Sequence, residues 1–385
     1  MSLESRIHVI VRDNQSTPVS LGHIENAYGL SFTTILPGGC GYCTFRAPGR
    51  INVVPTWANY GYEVRLLDGG VVFWAGRMED IFGGFDMGGE FWEITAYGWG
   101  VHMDDQIDDT EDVANTVTST AISNFITNWT SKFDVSTIAA SGYTIANAGA
   151  VTLKLLHGRQ MLAFLTRFGD SAFNTQQWHV YPQPNGDIEI TVEDRPTTAD
   201  IYLSLRYFES FRGGLYGERL ANQVQVRYNG GASTATRNDT TLQGAGPAGW
   251  GFIRTFPIVV PEIVSATDAA QIGDTVLTEA KTKRLGATAL TLKRQAFIID
   301  PNGYRVEPWR VRAGDMVQIP DLMSATGAVG SLQWNNSFVI AGTRWDEDSQ
   351  ILQITPERHD LSLQEVVAKV KGLIRGRHSL AGSAA

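Results

Sequence analysis

Between residues 4 and 104, apolar and polar residues alternate with a period of two in one short run after another. The runs are RIHVIV, SFTTIL, YCTFRA, YEVRLL, GVVFWAGRMEDI and EFWEITAYGW, with Gly, Pro or Asp between them. A two-residue period sends alternate side chains to opposite faces, so each run predicts a half-buried strand. The turn DGGV, Asp68–Val71, predicts a hairpin, because glycine takes the positive φ that such turns need. This spacing predicts a small antiparallel barrel or sandwich over residues 1–104.

The period changes near residue 105. Acidic residues open DDTEDVANTVTSTAISNFITNW, and Val113, Val117, Ala121, Ile122, Phe125, Ile126 and Trp129 follow at helical spacing. GRQMLAFLTRFGD predicts a second helix with Met161, Leu162, Leu165 and Phe168 as its stripe and Gly169 as its stop. WHVYPQPNGDIEITVED then predicts a hairpin turning at Asn185-Gly186. Residues 105–200 thus form an α+β insertion. Alternation returns from 201 to 360, in IYLSLRYFES, ANQVQVRYNGG, ATALTLKRQAFIID, NSFVIAGTRWDED and ILQITPE. Within this second β module, 231–252 reads as an exposed loop or mobile hairpin. A helix is predicted over about 265–285, capped by Ser265 or Thr267, facing inward with Ile272, Val276 and Ala280, and ended by Gly286. Residues 361–385 predict a terminal helix, about 362–374, and a flexible tail of small residues.

Composition supports a mainly β chain. It has 40 Gly and 14 Pro in 385 residues, enough to punctuate many short strands, and only 18% charged residues. The net charge of −9 and the lack of a long basic run argue against a general nucleic-acid or anionic-membrane binder. The N-terminus has no apolar core of a secretory signal and no stretch is long enough to span a bilayer, so the chain is expected to fold in the cytoplasm.

Chemistry is sparse. Cys40 and Cys43 are the only cysteines and stand in C-x-x-C spacing. One such pair supplies two ligands where structural zinc needs four, and a redox pair needs a helix N-terminus to lower its thiol pKa. CTFRAP alternates as a strand instead, with Cys43, Phe45 and Gly41 on one face and Cys40 on the other. Both are expected to be small, uncoordinated residues. The histidines at 8, 23, 102, 157, 179, 359 and 378 form no local ligand motif. The acidic run 104–112 lacks calcium-loop spacing and reads as a solvated helix start. Glu189 and Glu193 share a strand face, which suits either a glycosidase acid pair or plain solvent exposure. The tryptophans are scattered through strands, where core packing explains them better than a sugar platform. No nucleophile elbow, phosphate loop or dinucleotide motif sits between strand and helix. The expectation is therefore no enzyme, with no catalytic residue, cofactor or metal.

The order of these pieces resembles the baseplate hub, or tail-tip hub, proteins of long-tailed bacteriophages. The residues that carry the likeness are LPGGCGYCTFRAP, YEVRLLDGGVVFWAGRMEDI and EFWEITAYGWGVHMDD in the first module. In the second they are YRVEPWRVRAGDMVQIPD, with Ala313 where the pattern has proline, and FVIAGTRWDEDSQILQITPE. The resemblance implies two small antiparallel β-barrel modules and a homotrimer at the distal end of the tail tube. Three chains then set six barrels around one axis. It implies a virion protein of the tail tip or baseplate. Its partners would be a tube-end ring, the tape measure and tip or fibre proteins, with DNA only as passing cargo and no membrane insertion by this chain. A tail-associated cell-wall hydrolase, and a glycan-binding tail module, are the alternative expectations. In a trimer, three copies of the Cys40–Cys43 pair could meet near the axis around a metal.

Overall fold

The alternating runs fold as strands. The computed structural model describes residues 7–105 except 14–18, strand and helix pieces between 113 and 166, and 176–357 except 184–185, 215–219, 246–248, 262, 282–283, 294–295, 323–332 and 335. The chain begins with β1 (Ile7–Arg12), β2 (Ser20–His23), β3 (Tyr28–Ile35), β4 (Gly38–Pro48), β5 (Glu63–Asp68), β6 (Val71–Asp86) and β7 (Gly89–Gly98). Next come β8 (Val113–Val117), β9 (Ile138–Ala139), β10 (Ala150–Leu153), β11 (Gln176–Pro182) and β12 (Ile188–Asp194). Then follow β13 (Ile201–Tyr202), β14 (Phe208–Gly214), β15 (Gln223–Tyr228), β16 (Ser233–Asn238), α1 (Thr240–Gln243), β17 (Thr255–Val259) and α2 (Ala266–Ala280). The last are β18 (Arg284–Leu292), β19 (Ile298–Ile299), β20 (Arg305–Val306), β21 (Met316–Gln318), β22 (Gln333–Trp334), β23 (Ser337–Asp346) and β24 (Ile351–Pro356).

Antiparallel pairing runs β2–β1–β5–β6–β7–β4–β3 through the first half. It crosses to the second half at β3–β23 and continues β23–β24–β18–β14. β21 also pairs with β23 and carries β13, β19 and β20. β11 joins β4 in parallel and brings β12 and β9 with it. Among the described residues no run of pairings returns on itself, so this sheet branches and does not close as a barrel. A separate sheet, β16–β15–β17, lies between β14 and β18 in sequence, and α2 packs across β15 and β16.

Burial follows the alternation and falls into two cores. One joins both halves of the large sheet, with Phe32, Phe45, Trp74 and Ile94 beside Leu290, Ile340 and Trp345. The other gathers Trp99, Phe125, Trp178 and Ile190 with Val224, Val226, Ile258 and Ile272. Several local expectations need correction. Val113 and Val117 lie in β8, paired with β10, and not on a helix. The β-branched run there favours extended backbone, and helix begins only near 120, where Ala121, Phe125 and Ile126 are buried. Trp129 lies outside the described residues, as do Met161, Leu165 and Phe168; Leu162 is helical and buried. In α2, Ser265 is the cap, its Oγ accepting from Asp268 N at 3.3 Å, but the helix stops at Ala280 and Gly286 belongs to β18. In the 231–252 stretch the hairpin expectation holds, since β16 pairs antiparallel with β15, and a short helix α1, capped by Asp239 through Leu242 N, follows it. The helix expected at 362–374 and the tail lie outside the described residues.

The cysteines show how a bulge changes parity. Phe32 pairs with Cys43 and Thr34 with Cys40, so β4 spends three residues where β3 spends two. The extra residue turns Cys40 to the same core as Cys43, against the simple alternation expected from sequence. Both thiols are free and buried. Burial pushes Cys40 up to about 12 and Cys43 higher still, so neither is a thiolate at neutral pH.

Just before them, Gly39 (φ +88°) lies against Val180 of β11, and a β-carbon there would stand 2.2 Å from the Val180 carbonyl oxygen. A missing side chain is thus what lets β11 pair with β4. Across the sheet, Thr34 and Thr343 face each other where β3 meets β23. Their hydroxyl oxygens are 2.6 Å apart, and the Ala313 N–H donates to Thr34 Oγ1 at 2.8 Å. The Tyr181 hydroxyl donates to the Ala313 carbonyl at 2.8 Å, which brings β11 into the same network.

Gly39→Ala should cost about 3 kcal/mol in urea unfolding, from positive φ plus the backbone clash. Gly70→Ala, with similar φ of +83° but nothing within 4 Å, should cost only about 1 kcal/mol. Equal losses would show that space at Gly39 is immaterial. Thr34→Val should cost about 1–3 kcal/mol, because it strands the buried Ala313 N–H. A double-mutant cycle with Thr343→Val should return a non-zero coupling.

Candidate assembly surface

The two halves of the large sheet are fastened by more than strand pairing. Asp68, at the end of β5, accepts from Trp309 Nε1 at 3.1 Å and from Arg310 Nε at 2.9 Å through one carboxylate oxygen. Arg310 Nη2 also donates to the Asp68 carbonyl at 3.1 Å. Arg195, just after β12, holds Glu357 through both carboxylate oxygens. The Asp68–Arg310 contact borders an open cleft of about 600 Å³ whose rim mixes Arg305, Arg310 and Arg312 with Asp200, Glu307 and Asp315. Within the rim Glu307 lies 3.8 Å from Arg305, and Asp200 accepts from the Met316 backbone N–H at 2.8 Å.

Beside the cleft, one face of β11 is polar and buried. Gln177, His179 and Tyr181 project from it toward the turn at 312–315. Gln177 Nε2 donates to Glu193 at 2.9 Å, and the Arg312 guanidinium lies 5.2 Å from the centre of the Tyr181 ring. Burial, reinforced by the Arg312 charge, holds His179 neutral down to about 4. Burial raises Asp315 to about 6, although its carboxylate accepts from Arg312 N at 2.9 Å. Tyr181 is raised well above the ordinary phenol range, chiefly by burial.

The sequence-predicted sites scatter. Glu189 and Glu193 share a face of β12, but four residues of strand put their Cα atoms about 13 Å apart, beyond the reach usual for a glycosidase pair. Glu193 is engaged with Gln177, and His179 Nδ1 lies 3.9 Å from it. From the acidic run 104–112, Asp105 accepts from Arg77 at 2.6 Å and lies 3.2 Å from His102 Nδ1, while residues 106–112 lie outside the described residues. Trp74, Trp92, Trp99, Trp178 and Trp345 are buried, which is core packing and not a sugar platform. Among the described residues no three His, Cys, Asp or Glu side chains gather as a metal cluster, and no helix is long and apolar enough to cross a membrane.

The feature missed in sequence is the end of the β6–β7 hairpin. Phe82 is 60% exposed, Phe85 78% and Met87 fully exposed. The loop before β5 adds exposed Ile51, Val53, Val54 and Tyr60. That loop is tied to β7, since Ile51 N donates to Glu90 at 2.8 Å and Trp92 Nε1 to the Arg50 carbonyl at 3.2 Å. Arg46 braces the base of the hairpin, 2.7 Å from Glu93 and 3.7 Å from Asp86, with its guanidinium 4.5 Å from the Phe91 ring centre. The result is an apolar projection on a fastened base. Such grouped exposure marks an interaction surface more often than chance. The signal in sequence was IFGGFDMGGEF, where large apolar residues crowd a glycine-rich hairpin end that is ordinarily polar.

Asp315 and His179 each carry a pH signature. Asp315 binds its proton more tightly folded than unfolded, so its ionisation costs stability as pH rises through about 6. Asp315→Asn should therefore raise the melting temperature at pH 8, with the gain shrinking as pH falls toward 4. His179 acts oppositely: its protonation is resisted in the fold, so wild type should lose stability relative to His179→Gln as pH falls from 6.5 toward 4. Thermal scans of the three proteins across pH 4–8 check both, and parallel curves would refute them.

No protein-family model and no curated protein sequence matches the chain. Solved structures do. The 43 kDa tail protein of prophage MuSo2 from Shewanella oneidensis superposes with a TM-score of 0.57 at 12% identity, over 92% of this chain and 99% of that one. A tail protein from Neisseria meningitidis MC58 gives 0.56 at 12% identity, over 92% and 96%. Prophage tail protein gp18 from Listeria monocytogenes EGD-e gives 0.52 at 11% identity, over 95% and 99%. Over nine-tenths of its length the chain therefore shares its overall fold with these three tail proteins.

Proposed function

We infer that this chain is a structural protein of a phage tail: a homotrimeric hub at the distal end of the tail tube that joins tube to tip. The observation that carries this reading is the shared fold, which runs over 92% of the chain and 99% of the MuSo2 tail protein. In the trimer, each half of the large sheet serves as one barrel-like module of a six-module ring, forming part of the DNA conduit or its closure. The bridge between halves suits that role, because both modules of a chain must keep one relative orientation for the ring to be regular. A net charge of −9 suits a channel through which DNA passes without sticking. The exposed β6–β7 tip supplies an apolar contact to a neighbour in the tail, the tube-end ring, the tape measure, or a tip or fibre protein. The protein acts by assembly and not by turnover, as part of the virion tail tip.

Light scattering on the purified full chain, and labelling of intact virions, test this. A mass three times that of the chain and label at the distal tail end are expected. A strict monomer in both settings overturns the trimer, and label along the tube overturns the position. Replacing Phe85 and Met87 together by Ser should leave unfolding stability within about 0.5 kcal/mol, as for exposed sites. It should nonetheless block incorporation into tails. Normal incorporation would remove the hairpin tip from the assembly surface.

A further inference from the structure

We propose that His8 and His23 form a two-imidazole chelate for a borderline transition-metal ion of the Zn²⁺, Ni²⁺ and Cu²⁺ class. The two residues are 15 apart and show no ligand spacing in sequence, but the β1–β2 pairing makes them neighbours. Ile7 and Val9 point into the core, so His8 between them points to solvent. His23 pairs with Ile10, which sets it diagonally across from His8 on the outer face. Nδ1 of His8 and Nε2 of His23 are 3.0 Å apart, with ring centres at 4.8 Å and planes inclined at 62°.

That separation is the one a metal needs. Imidazole nitrogens bind Zn²⁺ at about 2.0–2.1 Å, so two of them 3.0 Å apart subtend roughly 90° at a shared ion. The same angle serves adjacent positions of a square-planar or octahedral centre, which suits Cu²⁺ and Ni²⁺. In the metal-free pair one ring donates its N–H to the other's lone pair. On binding, that donor ring moves its proton to its other nitrogen, and both facing nitrogens present lone pairs. Both rings are exposed, so small rotations suffice to aim them. The backbone beneath is fixed, since β1 is held by β2 on one side and by β5 on the other. Nitrogen ligands without a carboxylate cluster exclude Ca²⁺ and Mg²⁺, which require oxygen. Water completes the coordination, leaving positions open on the ion.

Calorimetric titration of the untagged full chain with NiCl₂ and with ZnCl₂ at pH 7.5 tests the site. One ion per chain is expected at the highest-affinity step. His8→Asn and His23→Asn should each weaken it about a hundredfold, the usual loss when one arm of a two-point attachment is removed. In wild type, Ni²⁺ should broaden the ring proton resonances of His8 and His23 before those of other histidines, which decides the matter even if a variant folds poorly. Absence of binding overturns the proposal. So does binding that survives both substitutions, or broadening that begins at other histidines.

Discussion

One ladder holds this molecule's two halves together. Among the described strands, the only ladder that joins β1–β7 to the second-half strands of the large sheet is β3–β23. Its inner face sets an apolar pair, Phe32 opposite Trp345, next to a polar pair, Thr34 opposite Thr343. Sliding β3 by one residue would turn Phe32 and Thr34 outward together and leave the Ala313 N–H with no acceptor in the core. A satisfied buried polar contact therefore selects one register, and with it one orientation of the two halves. The Asp68–Arg310 and Arg195–Glu357 pairs add fasteners at other points, but only after that register brings their residues together.

The branching of the sheet follows from steric permission as much as from pairing. β4 carries three neighbours, β3, β7 and β11. Two come from ordinary edge-to-edge ladders. The third needs a backbone to approach a backbone, and Gly39 is where it happens; Gly98 of β7 lies equally close to the Cys40 carbonyl. The glycines of LPGGCGYC are thus a packing device. They let a strand from the 105–200 segment enter the first half's sheet, and through the Tyr181 hydroxyl that strand reaches Ala313 and the bridge itself.

What could be read in advance and what could not divide along this line. The alternating runs in the first hundred residues became strands because burial of one face is a local pattern. Asp68-Gly69-Gly70-Val71 became a hairpin because positive φ is a local property, with Gly69 at +58° and Gly70 at +83°. Cys40 escaped because a bulge takes its register from the partner strand, and no feature of β4 alone reveals it. Val113 and Val117 fitted a helical stripe equally well until β10 offered them a ladder. The Thr34–Thr343 contact joins residues 309 apart, and the His8–His23 contact crosses two strands; both exist only through tertiary placement. The apolar hairpin tip was missed for a different reason. Its residues break the rule that exposed hairpin ends are polar, and a rule broken in sequence has meaning only once exposure is known.

The bridge and the tip are best understood as one mechanical arrangement. β6 and β7 are long strands whose inner lengths lie in the shared core, with Trp74 and Ile94 fully buried, while their outer ends carry Phe82, Phe85 and Met87 into solvent. A projection continuous with a packed sheet resists bending, because bending it would break the ladder bonds between β6 and β7. An apolar side chain on such a projection loses little freedom when it docks, so more of its burial energy appears as affinity. On the proposed hub reading, the bridge fixes where each half points and the hairpin transmits that direction to a neighbour. The same reasoning explains why the exposed apolar residues sit at the end of a continuous strand pair and not on a free loop. There, the entropy of ordering would offset much of what contact with a partner gains.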